Sequence, residues 1–180
     1  MDTVIRDATA ADAAAIAGIH VRSWRSTYRG MIDDSILDGL SVAERASDWT
    51  ARLRLTRSQG AAPFTLVVER DGELLGFCHV ARLDEDAEAT IGALYLEPGH
   101  LLTGLGGTLL RAALAGLRAA GVDDVVLWVL EANHGARAFY QRFGFSDDGG
   151  RQPFVGASEI RMRTSLTSSK ALSAKPTQEL

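Results

Sequence analysis

Lysine is nearly missing from this sequence: of 180 residues only Lys170 and Lys175 are lysines, both close to the end. Arginine is the cation of the body. Cysteine is down to one, Cys78, which excludes an intrachain disulfide and fits a reducing compartment. No apolar run approaches the roughly 20 residues that cross a bilayer. The opening Met1-Asp2-Thr3 has neither the basic nor the apolar stretch of a signal peptide. A cytoplasmic protein with no membrane partner is therefore expected. The four histidines, His20, His79, His100 and His134, do not stand at ligand spacing, and no HExxH or paired CxxC occurs, so no metal is expected. A net charge of −4 offers no basic footprint for nucleic acid.

What is present suits one globular domain, with 46% hydrophobic and 23% charged residues. Residues 3–6 read as an opening strand. Thr9-Ala-Ala-Asp12 resembles a capping box and starts a helix with Ile16, His20, Trp24 and Tyr28 on one stripe. Ser41-Val-Ala-Glu44 opens a second helix, which ends before Gly60 and Pro63. Residues 64–70 and 73–80 are strands joined by Asp71-Gly72, a strong hairpin signal. An acidic connection, 84–88, leads to a fourth strand, 90–96. Leu105, Leu109, Ala113 and Leu117 share a helical face that ends at Gly121. Residues 125–130 are apolar without alternation, as in a central strand covered on both faces. A short helix over 133–143 and a last strand over 158–163 follow. The order β-α-α-β-β-β-α-β-α-β, with its central hairpin, argues for a mixed α/β (α+β) sheet flanked by helices. Residues 1–163 form the expected single domain, and the Ser/Thr/Ala-rich tail from Thr164 is expected to be disordered.

Two segments carry chemistry. After the fourth strand, a turn with Gly104, Gly106 and Gly107 opens a helix. The first N–H groups of a helix lack intrahelical partners and carry the positive end of its dipole. Glycine lets a pyrophosphate approach them closely. Thr103 and Thr108 add hydroxyl donors. The turn lacks the lysine of a Walker A loop. It also fails the dinucleotide fingerprint, because Leu109 stands at the third glycine. Glu131 at the end of the next strand imitates the ribose-binding acid, so dinucleotide binding stays open on the turn alone. Downstream, Asn133 is a good N-cap with an amide N–H to spare for a ligand. Tyr140 lies two helical turns further on the same face, among Ala136, Phe139 and Phe143.

Together these segments resemble the GNAT acetyltransferase superfamily from about residue 3 to 163. The matching residues are Leu94-Tyr-Leu-Glu-Pro98, Gly104 and Gly106, Leu127-Trp-Val-Leu-Glu-Ala-Asn133, Ala136, Phe139-Tyr140 and Gly144-Phe145. The resemblance implies a mostly antiparallel sheet whose fourth and fifth strands splay apart to hold acetyl-CoA. Leu94, Tyr95 and Leu96 would flank its pantetheine arm. Leu102, Thr103, Gly104, Leu105, Gly106, Gly107 and Thr108 would surround its pyrophosphate. Asn133 would contact the pantetheine, and Tyr140 would stand beside the thioester sulfur. Such turns usually open with Gln or Arg and then Gly. Leu101 and Leu102 stand there instead. Leu101 cannot donate to a phosphate, and Leu102 is not expected to adopt positive φ. The glutamate that many relatives carry on the fourth strand is Thr90 here.

The expected reaction moves an acetyl group to a primary amine of a small molecule or peptide by direct attack in a ternary complex. The amine must first lose a proton. Glu131 is the first candidate acceptor of that proton and Glu88 the second, although both also read as exposed strand-end carboxylates. A backbone N–H near Tyr95 or Leu96 would hold the oxyanion, and Tyr140 would protonate the leaving thiolate. Trp24, Tyr28 and Glu131 are the expected acceptor-binding residues, with Asp33 and Asp34 placed to attract a cation. Cys78 reads as a packing residue. The alternative is a non-catalytic acyl-CoA-binding sensor or assembly module. A homodimer is the default assembly.

Overall fold

The structure, a computed structural model, describes residues 3–55, 63–83 and 88–167. Residues 84–87 of the expected acidic connection and 168–180 of the expected tail lie outside the described residues. The strands are β1 (Thr3–Asp7), β2 (Phe64–Arg70), β3 (Glu73–Leu83), β4 (Glu88–Leu96), β5 (Asp124–Leu130), β6 (Ser146–Phe154) and β7 (Ala157–Ser165). The helices are α1 (Ala13–Thr27), α2 (Asp34–Asp38), α3 (Val42–Leu55), α4 (Leu105–Ala119) and α5 (His134–Gln141). The sheet order is β1-β2-β3-β4-β5-β7-β6. All pairs are antiparallel except β4 with β5.

The unbroken apolar runs of β2 and β5 have a simple cause: helices cover both faces of the sheet. Leu66 and Val68 of β2 pack with Leu109, Leu110 and Leu117 of α4, whereas Val67 between them packs with Ile16 of α1 and Trp49 of α3. Burying a leucine or phenylalanine stabilises by roughly 1.5–3 kcal/mol, so two apolar layers hold the sheet between the helices on its two faces. Asp71 and Gly72 both take positive φ, 52° and 83°, as the tight hairpin between β2 and β3 requires. Cys78 is buried in the core beside Leu66 and Val80. Burial pushes its thiol up to about 12, so it packs and does not react. No helix among the described residues is long and apolar enough to cross a membrane.

Two elements carry no periodic signal in the sequence. Helix α2 is one turn of chain, capped by Asp33 Oδ1, which accepts from the Ser35 N–H at 2.8 Å. Strand β6 contains Gly149, Gly150 and Pro153, and its ladder with β7 is interrupted between Asp147 and Arg151. It is an edge strand tied to β7 by its ladder and by Arg161 and Arg163 of β7, which pair with Asp148, while Arg151 pairs with Asp147 within β6. The last strand also runs past the expected end at Arg163. Thr164 and Ser165 pair with Val125 and Asp124, and Leu166 is buried with its N–H on the Asp123 carbonyl at 2.7 Å. The expected boundary at Thr164 therefore falls inside the folded domain. A chain ending at Arg163 should be less stable than one ending at Thr167 by roughly 2–5 kcal/mol, the usual cost of deleting a buried leucine. Equal urea midpoints for the two would show that the end of β7 contributes nothing.

Candidate active site

Strands β4 and β5 pair through only four residues, 88–91 against 124–127, and then part. The cause is partly local. In the β3–β4 ladder His79 faces Ala93 and Val80 faces Ile91, so Gly92 is skipped. A bulge bends its strand and re-aims the following side chains. Gly92 suits the position because a Cβ there would stand 2.9 Å from the Ala81 side chain. Past Ile91 the β4 edge has no strand neighbour. A cleft of about 850 Å³ opens there, lined by Leu94, Tyr95 and Leu96, by Trp128 and Val129 of β5, and by Asn133, Ala136, Phe139 and Tyr140.

The glycine turn forms the mouth of this cleft. Leu102, Gly104, Gly106 and Gly107 line it. Gly104 takes φ 88° and caps α4, leaving the amides of the first helical turn to face a ligand. The expectation for Leu102 is corrected: it adopts φ 62° and is 99% exposed. A leucine pays about 1–2 kcal/mol for that conformation, and full exposure removes the steric conflict with neighbours. The threonines do less than expected. The Thr103 hydroxyl donates to the His100 carbonyl at 2.7 Å, and the Thr108 hydroxyl to the Gly104 carbonyl at 3.1 Å. The Leu105 side chain belongs to the core, not the cleft. Arg111 and Arg142, overlooked in the sequence, line the cleft and bring two cations to it. Arg111 lies over the Phe143 ring.

Helix α5 brings the neutral donors. Asn133 Oδ1 accepts from the Ala136 N–H at 3.1 Å, which leaves its NH2 group for a ligand. Tyr140 packs edge-on against Phe139 and Phe145. Burial pushes its pKa well up, so the hydroxyl keeps its proton near neutral pH.

On the other face a second cavity, about 280 Å³, lies between α1, α3 and the sheet. Six residues line both spaces: Tyr28, Ile91, Gly92, Ala93, Tyr95 and Trp128. The Tyr28 and Tyr95 hydroxyls meet at 3.2 Å in this passage. Trp24 lines the second cavity only. Glu131 lines neither; it is exposed beside the start of α5, where its carbonyl accepts from Arg137. Glu88 sits at the paired end of β4, ion-paired with Arg163. Asp33 caps α2 and Asp34 pairs with Arg29, so both are occupied structurally. The carboxylate that does enter the second cavity is Glu159 of β7. In the alternating run Glu159-Ile-Arg-Met-Arg163 it falls in phase with Arg161 and Arg163, not with the apolar Ile160 and Met162, so the sequence alone gave no sign that it turns inward.

Residues 15–145 match the model of the Acetyltransferase (GNAT) family. The chain belongs to the GNAT family. This GNAT chain is 36% identical over 141 residues to a mycothiol acetyltransferase of Salinispora tropica, covering 72% of the chain and 45% of that protein. It thus spans less than half the length of that relative. It is 29% identical to a probable N-acetyltransferase of Mycobacterium tuberculosis, with 81% of this chain and 80% of the other covered. In fold it resembles the PaiA N-acetyltransferase of Thermoplasma acidophilum, solved with coenzyme A. That likeness has a TM-score of 0.76 and 23% identity over 92% of this chain and 99% of that one.

His20 sits at the centre of the aromatic cluster beside the passage. It stacks on Tyr95 with centroids 5.0 Å apart, and its Nδ1 accepts from Trp49 Nε1 at 3.1 Å. Nε2 is buried without a hydrogen-bond partner. Burial, then Arg45 and Arg52, push its pKa down to about 3. The unfolded histidine takes a proton near pH ~6.5, so folding stability is present above that pH and is lost as the pH falls toward 3. His79, pushed down to about 4 mainly by burial, acts in the same direction. The melting temperature should therefore fall between pH 7 and 4.5, and His20→Gln should flatten that slope. An unchanged slope would assign the loss to other groups. Leu102→Gly gives a second check: it should be neutral or stabilising by up to about 1 kcal/mol, since the exposed side chain packs against nothing. A clear destabilisation by urea titration would mean that the left-handed turn does not hold in solution.

Proposed function

We propose that this chain is an acetyl-CoA-dependent N-acetyltransferase acting on a primary amine of a small molecule or peptide, by direct attack in a ternary complex. One observation carries this reading: two cavities on opposite faces of the sheet meet in the gap between β4 and β5. A donor laid in the cleft and an acceptor in the second cavity would meet there. The amides of the α4 turn, with Arg111 and Arg142, fit the phosphates of acetyl-CoA. The unpaired edge of β4 at Leu94, Tyr95 and Leu96 fits the amide-bearing pantetheine arm, because backbone groups on that edge lack strand partners. Asn133 would donate to the same arm. A β4 N–H would hold the oxyanion. Tyr140, kept protonated by burial, would donate to the departing thiolate sulfur.

Release of free thiol from acetyl-CoA across a panel of amines tests the reading, together with calorimetric titration of acetyl-CoA and NAD. Binding of NAD without acetyl-CoA would overturn it. Binding of acetyl-CoA with no thiol release would leave the chain a binding module. Tyr140→Phe keeps the ring that packs on Phe139 and Phe145 and removes one oxygen. Turnover should fall roughly 10²–10⁴-fold, the worth of a positioned acid. Acetyl-CoA affinity should barely change, because the hydroxyl acts as charge develops on sulfur. A variant with full turnover would return Tyr140 to packing alone.

A further inference from the structure

The second cavity holds a charge pattern that the acetyl-transfer reading leaves unused. Glu159 is the one acid lining either cavity among the described residues. It is 8% exposed. The Gln152 side-chain amide donates to its Oε2 at 2.7 Å, and no described arginine stands within ion-pairing distance of it. A carboxylate this buried with a single donor is poorly compensated. Around it stand Trp24, Tyr28, Tyr95, Trp128 and Phe154, whose ring faces attract a cation. Across the same cavity, on α3, stand Arg45 and Arg52, with guanidinium carbons 5.9 Å and 5.7 Å from the ring centres of Trp24 and Trp49. The space therefore has one negative end and one positive wall within about 280 Å³.

Building on the transferase reading, we propose that this cavity is the acceptor site, that Glu159 receives the acceptor's ammonium group and takes its first proton, and that Arg45 and Arg52 hold a carboxylate at the other end. The acceptor is then a small amine that also carries a carboxylate. The protons balance. The ammonium gives one proton to Glu159. The amine nitrogen attacks the thioester carbonyl, the N–C bond forms, the C–S bond breaks, and the sulfur leaves as thiolate. The nitrogen's second proton ends on that sulfur by way of Tyr140 or water. Glu159 returns its proton to solvent. The other ionisable groups facing Glu159 are His20 and Tyr28 of α1, His79 of β3, Tyr95 of β4, and Arg45 and Arg52 of α3. Burial holds the histidines and tyrosines neutral, so among them only the arginines carry charge near neutral pH.

The test is thiol release from acetyl-CoA with β-alanine and 4-aminobutyrate against propylamine and butylamine. The carboxylate-bearing amines should have kcat/KM higher by roughly 2–5-fold, the worth of one partly exposed ion pair. Arg45→Gln combined with Arg52→Gln, at half-exposed and exposed positions, should erase that preference. Glu159→Gln keeps the shape of the side chain and should lower kcat roughly 10²–10⁴-fold at neutral pH, less at high pH where free amine is abundant, with acetyl-CoA affinity unchanged by calorimetry. Glu159→Asp should recover part of the loss, which a merely structural role would not give. A wild-type protein that releases thiol with none of the amines, these four or the wider panel, sinks the transferase reading, and this proposal with it. A wild-type protein that turns over but prefers the plain alkylamines, or a Glu159→Gln variant with the full rate and an unaltered pH profile, overturns this proposal alone.

Discussion

Strands β4 and β5 stay paired for four residues and then separate, and the separation is held open from both sides. On one side Gly92 drops out of the ladder with β3 and bends β4. On the other, β5 stays fully paired with β7, Asp124 to Ser165 through Leu130 to Glu159, so it cannot follow. Closing the gap would break one of these ladders. A parallel pair is slightly weaker per residue than an antiparallel one, so the sheet gives way at its one parallel joint. The gap is also where the two cavities communicate.

Burial then decides the electrostatics of the gap. His20 and His79 are pushed down until they stay neutral, and Tyr28, Tyr95 and Tyr140 are pushed up until they keep their protons. Few full charges remain near the passage. Glu159 on one wall and Arg45 and Arg52 on the other are the exceptions in the second cavity. Glu159 is buried, so in surroundings of low dielectric it acts more strongly than it would in water, whereas Arg45 and Arg52 reach the cavity from half-exposed and exposed positions. The cleft side works differently, with backbone amides and the neutral donors of Asn133 and Tyr140, and with Arg111 and Arg142 toward its mouth.

Much of the cleft was legible in the sequence because its parts are local. Gly104 and Gly106 mark a strand-to-helix turn, Asn133 marks a cap, and Tyr140 follows at helical spacing. The acceptor cavity was not legible. Glu159 and Gln152 come from a hairpin whose outer strand, β6, is polar and glycine-bearing and shows no alternation. Arg45 and Arg52 look like ordinary surface cations of α3 until that helix is laid against α1. Glu131 looked well placed because it ends β5, but the chain turns there and the side chain stays outside. Leu102 was misjudged for a related reason: its intrinsic preference opposes positive φ, and the closure of the turn between the single 3-10 turn at Pro98–His100 and α4 overrides it.

The sequence by itself determined the elements, their order, the glycine turn and the Asn–Tyr helix, because each rests on contacts within a few residues or on which faces must be apolar. Only the tertiary structure decided where β4 and β5 part, that β7 runs on to Ser165, and which carboxylate enters the second cavity. Those outcomes depend on ladders and burial between residues far apart in the chain: Gly92 against Ala81, Leu130 against Glu159, and Leu166 against Asp123. No local propensity encodes them, since each of these side chains would be equally at home elsewhere until its distant neighbour is in place.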